Sequence, residues 1–176
     1  MKPDWLPDLI LLEHYENNWE KYLAVIYEFF KADFVYQKPL FKGQELAVKR
    51  YPLAEDGKEI TFWHIISEGK TEDNRLPDLR RCERIRWPRP IIEHSEYPKM
   101  KLWENKRRGE KRVCIWFEEI EYLVVLAKRR DYILFWTAYP VLRDHRKEKL
   151  NREYKEYLEA GDAQKDGTVT PSTHGR

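Results

Sequence analysis

Glycine is scarce in this sequence, with seven in 176 residues, and methionine and cysteine are scarcer, with two each. So little glycine leaves no room for a glycine-rich phosphate loop. GxSxG is absent too, so nucleoside-triphosphate enzymes and serine hydrolases are disfavoured. Cys82 and Cys114 stand apart with no CxxC. Neither a zinc knuckle nor a disulfide framework is indicated, and both are expected to be small core residues. Metal-ligand spacing is lacking, so no metal and no cofactor is expected. No stretch approaches the roughly 20 apolar residues of a membrane span. The opening MKPDWLPDLILLEHYENN lacks the basic n-region and small-residue cleavage site of a signal peptide. A cytoplasmic protein without a membrane partner is the expectation. An excess of one charge is also missing, since 33 Lys+Arg face 31 Asp+Glu and leave a net +2. That total selects no partner.

Charge itself is plentiful. Charged residues make up 36% of the chain, against about 25% in an average domain. Seven Trp, 11 Tyr and seven Phe supply enough large apolar surface to bury a core. The length suits one domain. Residues 1–160 are expected to form it, with 161–176 a disordered tail.

Tyr15, Trp19, Tyr22, Leu23, Ile26, Tyr27 and Phe30 recur at helical spacing and predict an amphipathic helix over 15–30. Strands are expected at Leu46–Tyr51 and Glu59–Ser67, around the turn signal Asp56-Gly57. Leu76–Trp87 reads as a helix with Pro77 in its first turn, ended by Pro88 and Pro90, with a short piece around Ile91–His94. Met100–Trp103, Arg112–Glu118, Tyr122–Lys128 and Tyr132–Tyr139 are rich in β-branched and aromatic residues, and their short separations predict an antiparallel meander. Arg146–Leu158 is a last helix with the stripe Leu150, Tyr154, Tyr157 and Leu158. The fold class is α+β, an antiparallel β-meander with N-terminal, middle and C-terminal helices on one face or end of the sheet.

The net charge hides a segregation. Residues 1–36 carry three lysines and seven acids, whereas residues 70–112 carry 14 Lys+Arg and eight acids. A basic middle with interleaved Trp87 and Trp103 suits a phosphate backbone, or else consists of solvated turns and helix faces. Arg80, Arg84 and Trp87, at i, i+4 and i+7, would share one helix face, beside Arg81, Arg86 and Arg89. Guanidinium groups in such a cluster grip phosphate in bidentate fashion. Glu83 could pair with Arg80. His64 lies inside an expected strand, as a satisfied core histidine or a general acid or base. Thr137 and Tyr139, expected on the same strand face as Ile133 and Phe135, could bind a phosphate oxygen or simply reflect β-propensity. An inventory of His, Arg, Thr and Tyr without a cofactor suits RNA cleavage, because the 2′-hydroxyl is an internal nucleophile.

Phe62-Trp63-His64-Ile65, Asp78-Leu79-Arg80-Arg81-Cys82-Glu83-Arg84-Ile85-Arg86-Trp87, Tyr122-Leu123-Val124-Val125-Leu126 and Leu134-Phe135-Trp136-Thr137-Ala138-Tyr139 carry a resemblance across roughly residues 45–150. They resemble phage- and prophage-borne domains grouped with the barnase/EndoU/colicin/RelE-like (BECR) endoribonucleases. The resemblance implies metal-independent RNA cleavage through a 2′,3′-cyclic phosphate. It makes His64 the general base or acid and gives Arg80 and Arg84 the phosphate. Thr137, with Tyr139 beside it, would position that phosphate. Arg81, Arg86, Trp87 and Lys128 would contact substrate. The second acid or base has no matching residue, Glu118 and His145 being stand-ins. RNA, with tRNA among the candidates, and an inhibitor or antitoxin protein are the implied partners. The alternatives are a non-catalytic nucleic-acid-binding module and a phage accessory protein that docks a partner.

Overall fold

A computed structural model describes residues 1–69, 71 and 74–166. Residues 167–176 of the expected tail lie outside the described residues. The elements are α1 (Trp19–Phe30), β1 (Leu40–Phe41), β2 (Gln44–Glu45), β3 (Ala47–Val48), α2 (Ile60–Ile66), β4 (Ser67–Glu68), β5 (Leu76–Pro77), α3 (Leu79–Glu83), α4 (Pro88–Glu93), β6 (Lys101–Arg107), β7 (Glu110–Phe117), β8 (Tyr122–Lys128), β9 (Ile133–Pro140) and α5 (Asp144–Asp166). The fold class is α+β. Its centre is a five-stranded sheet in the order β3-β9-β8-β7-β6. Strands β6 to β9 form the expected antiparallel meander, and β3 adds to β9 in parallel through Ala47 and Val48.

Helix α1 starts at Trp19 because Glu16 and Asn17 both hold positive φ, at 59° and 54°. Tyr15 therefore sits in a preceding 3-10 turn instead of the helix. The Asn18 side chain accepts from the Lys21 N–H at 3.0 Å and caps the first turn. Tyr22, Ile26 and Phe30 are buried at i, i+4 and i+8, and a π-helical turn over Lys31–Tyr36 carries Phe34 to the same core. There Phe34 stacks on Phe135 of β9 at 4.6 Å.

Where a strand was expected over Glu59–Ser67, Ile60–Ile66 form a helix. Its apolar residues stand at 60, 62, 63, 65 and 66, a pattern that two-residue and 3.6-residue periods both fit. Packing decides for the helix. Thr61, Phe62, Ile65 and Ile66 are buried together, and Phe62 meets Tyr27 and Phe30 at 5.0 and 5.4 Å. Burial of an aromatic cluster outweighs a β-propensity worth about 1 kcal/mol at most. The Asp56-Gly57 turn does form, with Gly57 at φ 78°, but only an isolated Leu53–Glu59 bridge spans it. Of the expected strand Leu46–Tyr51, two residues pair.

The expected helix Leu76–Trp87 is also shorter. Pro77 lies in β5, the Asp78 side chain caps α3 by accepting from the Arg81 N–H at 2.9 Å, and α3 stops at Glu83. Pro88 and Pro90 open α4, because a proline at the first helical position loses no intrahelical hydrogen bond.

The sheet has a helical layer on each face, which corrects the expectation of one helical side. On the first face α1, α2 and α4 pack over Val113, Ile115, Phe117, Val124, Leu126 and Phe135. On the second, α5 brings Leu150 and Tyr154 to Trp103, Cys114, Trp116, Leu123 and Val125. Helix α5 runs on to Asp166, so residues 161–166 of the expected tail are helical. Among the described residues no helix is long and apolar enough to cross a membrane.

Candidate functional site

Two features of the sheet build a recess beneath α5. The first is the β6–β7 turn. Arg108 and Gly109 hold φ of 51° and 80°, so the strands close with a two-residue turn. Strand β6 therefore extends past the expected Trp103, through Lys106 and Arg107. The second is a β-bulge. Val125 pairs with Thr137 and Leu126 with Phe135, which leaves Trp136 as one extra residue. Past a bulge the alternation of faces slips by one. Thr137 and Tyr139 thus face away from Ile133 and Phe135, not with them as the sequence suggested.

Both hydroxyl residues line a cavity of about 490 Å³ between the second sheet face and α5. Leu123, Val125, Val141 and Leu150 give it an apolar floor and wall. Its polar lining comes from three places in the chain. Asn105, Lys106, Arg107 and Arg112 come from the β6–β7 hairpin, Thr137 and Tyr139 from β9, and Arg146, Lys149 and Glu153 from α5. Positions 146, 149, 150 and 153 recur at i, i+3, i+4 and i+7, which turns all four toward the sheet. Five cations meet one carboxylate.

The electrostatics set this cavity apart from the rest of the surface. Several cations on neighbouring strands and turns are paired: Lys99 with Glu119 at 2.7 Å, Lys128 with Glu104 at 2.7 Å, Arg129 with Glu110 at 2.7 Å, and Lys101 and Lys147 with Glu118 and Glu121. Among the described residues Lys106, Arg107, Arg146 and Lys149 form no ion pair. Arg112 stacks on Trp136 at 5.4 Å and lies 3.7 Å from Glu110, and its Nε is buried without a hydrogen-bond partner. Asn105 donates to Glu153 at 3.0 Å, while its Oδ1 is also buried without a partner. Burial raises the Tyr139 hydroxyl above its ordinary value against the pull of Arg146, so it stays a neutral donor. Burial pushes the Cys114 thiol up to about 12, which leaves it protonated and unreactive.

The remaining candidates do not converge on this cavity. His64 is on α2 and lines a separate recess of about 200 Å³ with Ala54, Ile60, Trp63, Ser67, Arg75 and Pro77, on the side of the first face. Arg75 donates to the His64 and Ser67 carbonyls at 2.9 and 2.8 Å. Arg80 is exposed, and its carbonyl accepts from the Arg84 guanidinium at 2.9 Å. Because α3 ends at Glu83, the shared helix face of Arg80, Arg84 and Trp87 does not exist. Arg84 instead stacks on Trp87 at 5.0 Å and pairs with Glu83, which therefore does not pair with Arg80.

Trp87 is buried, donating to the Pro7 carbonyl at 2.9 Å. Arg86 lies over Phe29 at 4.7 Å. Arg89 donates to the Asp33 and Gln37 carbonyls at 3.1 and 3.0 Å. These arginines hold the helical layer together. Arg81 is the exception: it sits 5.0 Å over the Tyr139 ring, along the length of β9 that β3 leaves uncovered. Lys128 is exposed and paired with Glu104. Hydrogen bonds from Lys101 and Asn151 hold the Glu118 carboxyl below its ordinary value, and His145 is exposed at the start of α5.

Sequence reasoning reached Thr137, Tyr139 and the neighbouring Arg81. It missed Lys106, Arg107, Arg112, Arg146 and Lys149 as members of one site. The helical spacing on α5 was a usable signal for two of them. Among the described residues no group of three or more His, Cys, Asp or Glu is placed to hold a metal ion.

No protein-family model matches the chain, and neither a curated protein nor a solved structure matches it.

Proposed function

We propose that this protein is a nucleic-acid-binding module for single-stranded RNA, and that the cavity under α5 holds the strand. Four cations without carboxylate partners around an apolar recess carry the reading. Unpaired surface charge is the electrostatic footprint of a phosphate backbone, and an apolar recess beside it accepts an unstacked base. A duplex offers no such base, so a recess favours a single strand over a groove. Tyr139 and Trp136 add aromatic surface of the kind on which bases stack.

Binding is favoured over cleavage because His64 stands at a different recess from Thr137 and Tyr139. A general base must come within hydrogen-bond reach of the 2′-hydroxyl it deprotonates.

The test is fluorescence anisotropy with a labelled single-stranded RNA, repeated across salt concentrations and followed by a gel. Four phosphate contacts to a single strand predict a log–log salt slope of roughly −3. Removing two cations in Arg107→Ala/Lys149→Ala should flatten it by about 1.4 and leave the RNA intact. Equal binding by wild type and the double variant would contradict the reading. A cleaved product would establish an enzyme instead of a binding module.

A further inference from the structure

The cavity's size, charge and buried polar atoms say more than that RNA binds near it. Its volume of about 490 Å³ lies in the range of pockets that enclose one small ligand and is too small for a run of stacked bases. Two of its lining residues carry a buried side-chain atom without a hydrogen-bond partner, one of each kind. The Asn105 Oδ1 is an acceptor and the Arg112 Nε–H is a donor, and both are buried without a partner. Leaving a buried polar atom unpaired costs roughly 1–3 kcal/mol. A ligand meets them once the two side chains turn toward the recess, and it must then present a donor to Asn105 and an acceptor to Arg112. The edge of a nucleobase does this, with its flat faces against Leu123 and Val125.

The charge adds a second constraint. Five cations against Glu153 exceed what one internal phosphodiester, with its single negative charge, would neutralise. A phosphomonoester carries about −1.5 to −2 near neutral pH and presents three acceptor oxygens. The exposed positions of Lys106, Arg107, Arg146 and Lys149 put that charge at the mouth, above the base-sized interior.

We infer that the cavity seats one nucleotide bearing a phosphomonoester, either free or as the phosphorylated end of an RNA strand. The inference rests on the RNA-binding reading of this site and deepens it. Base edge binds to Asn105 and Arg112, and the terminal phosphate to the four cations.

Isothermal titration of the full chain tests it with uridine, UMP, AMP, inorganic phosphate and three octanucleotides, ending in 5′-phosphate, in 3′-phosphate or in hydroxyl groups only. Either phosphorylated octanucleotide, or a free nucleotide, should bind at least about tenfold tighter than its unphosphorylated counterpart. Uridine and inorganic phosphate, each with half of the chemistry, should bind more weakly than UMP. UMP binding as tightly as a phosphorylated octanucleotide identifies the free nucleotide as ligand, and tighter binding of the octanucleotide identifies the strand end. Lys149→Ala and Arg107→Ala lie on the exposed mouth and should keep the wild-type melting temperature while losing that preference. Equal affinity for all three octanucleotides, with no binding of free nucleotides, overturns the terminal-nucleotide inference and leaves RNA binding standing. No binding of any octanucleotide or nucleotide removes both.

Discussion

At the scale of single residues, arginines of similar sequence context do opposite jobs. Arg84 spends its guanidinium on the Arg80 carbonyl, the Trp87 ring and Glu83, all within its own segment. Arg107 meets no carboxylate and faces the cavity. Arg84→Ala is therefore expected to cost about 1 kcal/mol of stability, the worth of a cation–π contact and a hydrogen bond, without changing RNA affinity. Denaturant melts and binding titrations separate the two effects. Which arginines are structural was not legible from sequence, because the partners of Arg86 and Arg89, which are Phe29, Asp33 and Gln37, lie about 50–60 positions away.

Asp33 gives a pH dependence at the same scale. Burial pushes its carboxyl up to about 6 from an ordinary 3.8; Arg86 and Arg89 oppose the rise, and Glu93 adds to it. The folded chain thus binds a proton that the unfolded chain releases between those values. Asp33 costs no stability below about pH 4, and its penalty grows as pH rises through about 6. Asp33→Asn should raise the melting temperature at pH 7.5 by several degrees, an effect on the order of 1–3 kcal/mol, and change it little at pH 4. Parallel melts of both proteins at the two pH values check the sign.

At the scale of elements, the meander was legible from its β-branched and aromatic runs at short separations, and α1 and α5 from apolar residues at helical spacing. Residues 59–67 were not, because apolar residues at 60, 62, 63, 65 and 66 fit a strand and a helix alike. The bulge at Trp136 was invisible for a different reason: an inserted residue shows only in the register of two paired strands. Its consequence is large, since it puts Thr137 and Tyr139 on the cavity side. The helical state of α2 has a consequence too, because it places His64 at a recess apart from them. His64→Ala is expected to leave RNA affinity within about twofold, under a third of the tenfold step worth about 1.4 kcal/mol. A loss of tenfold or more in the same titration would show that the two recesses act together.

At the scale of the whole molecule, the contrast between an acidic N-terminal region and a basic middle sorts into layers. The acidic region wraps the first sheet face, where Tyr22 donates to the Ile10 carbonyl and Ile10 to that of Glu83, tying it to α3. The arginines at 80–89 are mostly spent within that layer. A cluster of four cations without ion pairs lies on the other face, where the β6–β7 hairpin and α5 converge from segments about 40 residues apart. No local charge count combines those segments, since only the sheet brings them together.

Photocrosslinking tests the central claim most directly. A 5′-phosphorylated RNA carrying 4-thiouridine, irradiated with the full chain and digested, reports the peptides at the strand. The account predicts crosslinks within residues 103–107, 136–141 and 146–153. Crosslinks confined to residues 80–89, or to the recess around His64, would contradict it.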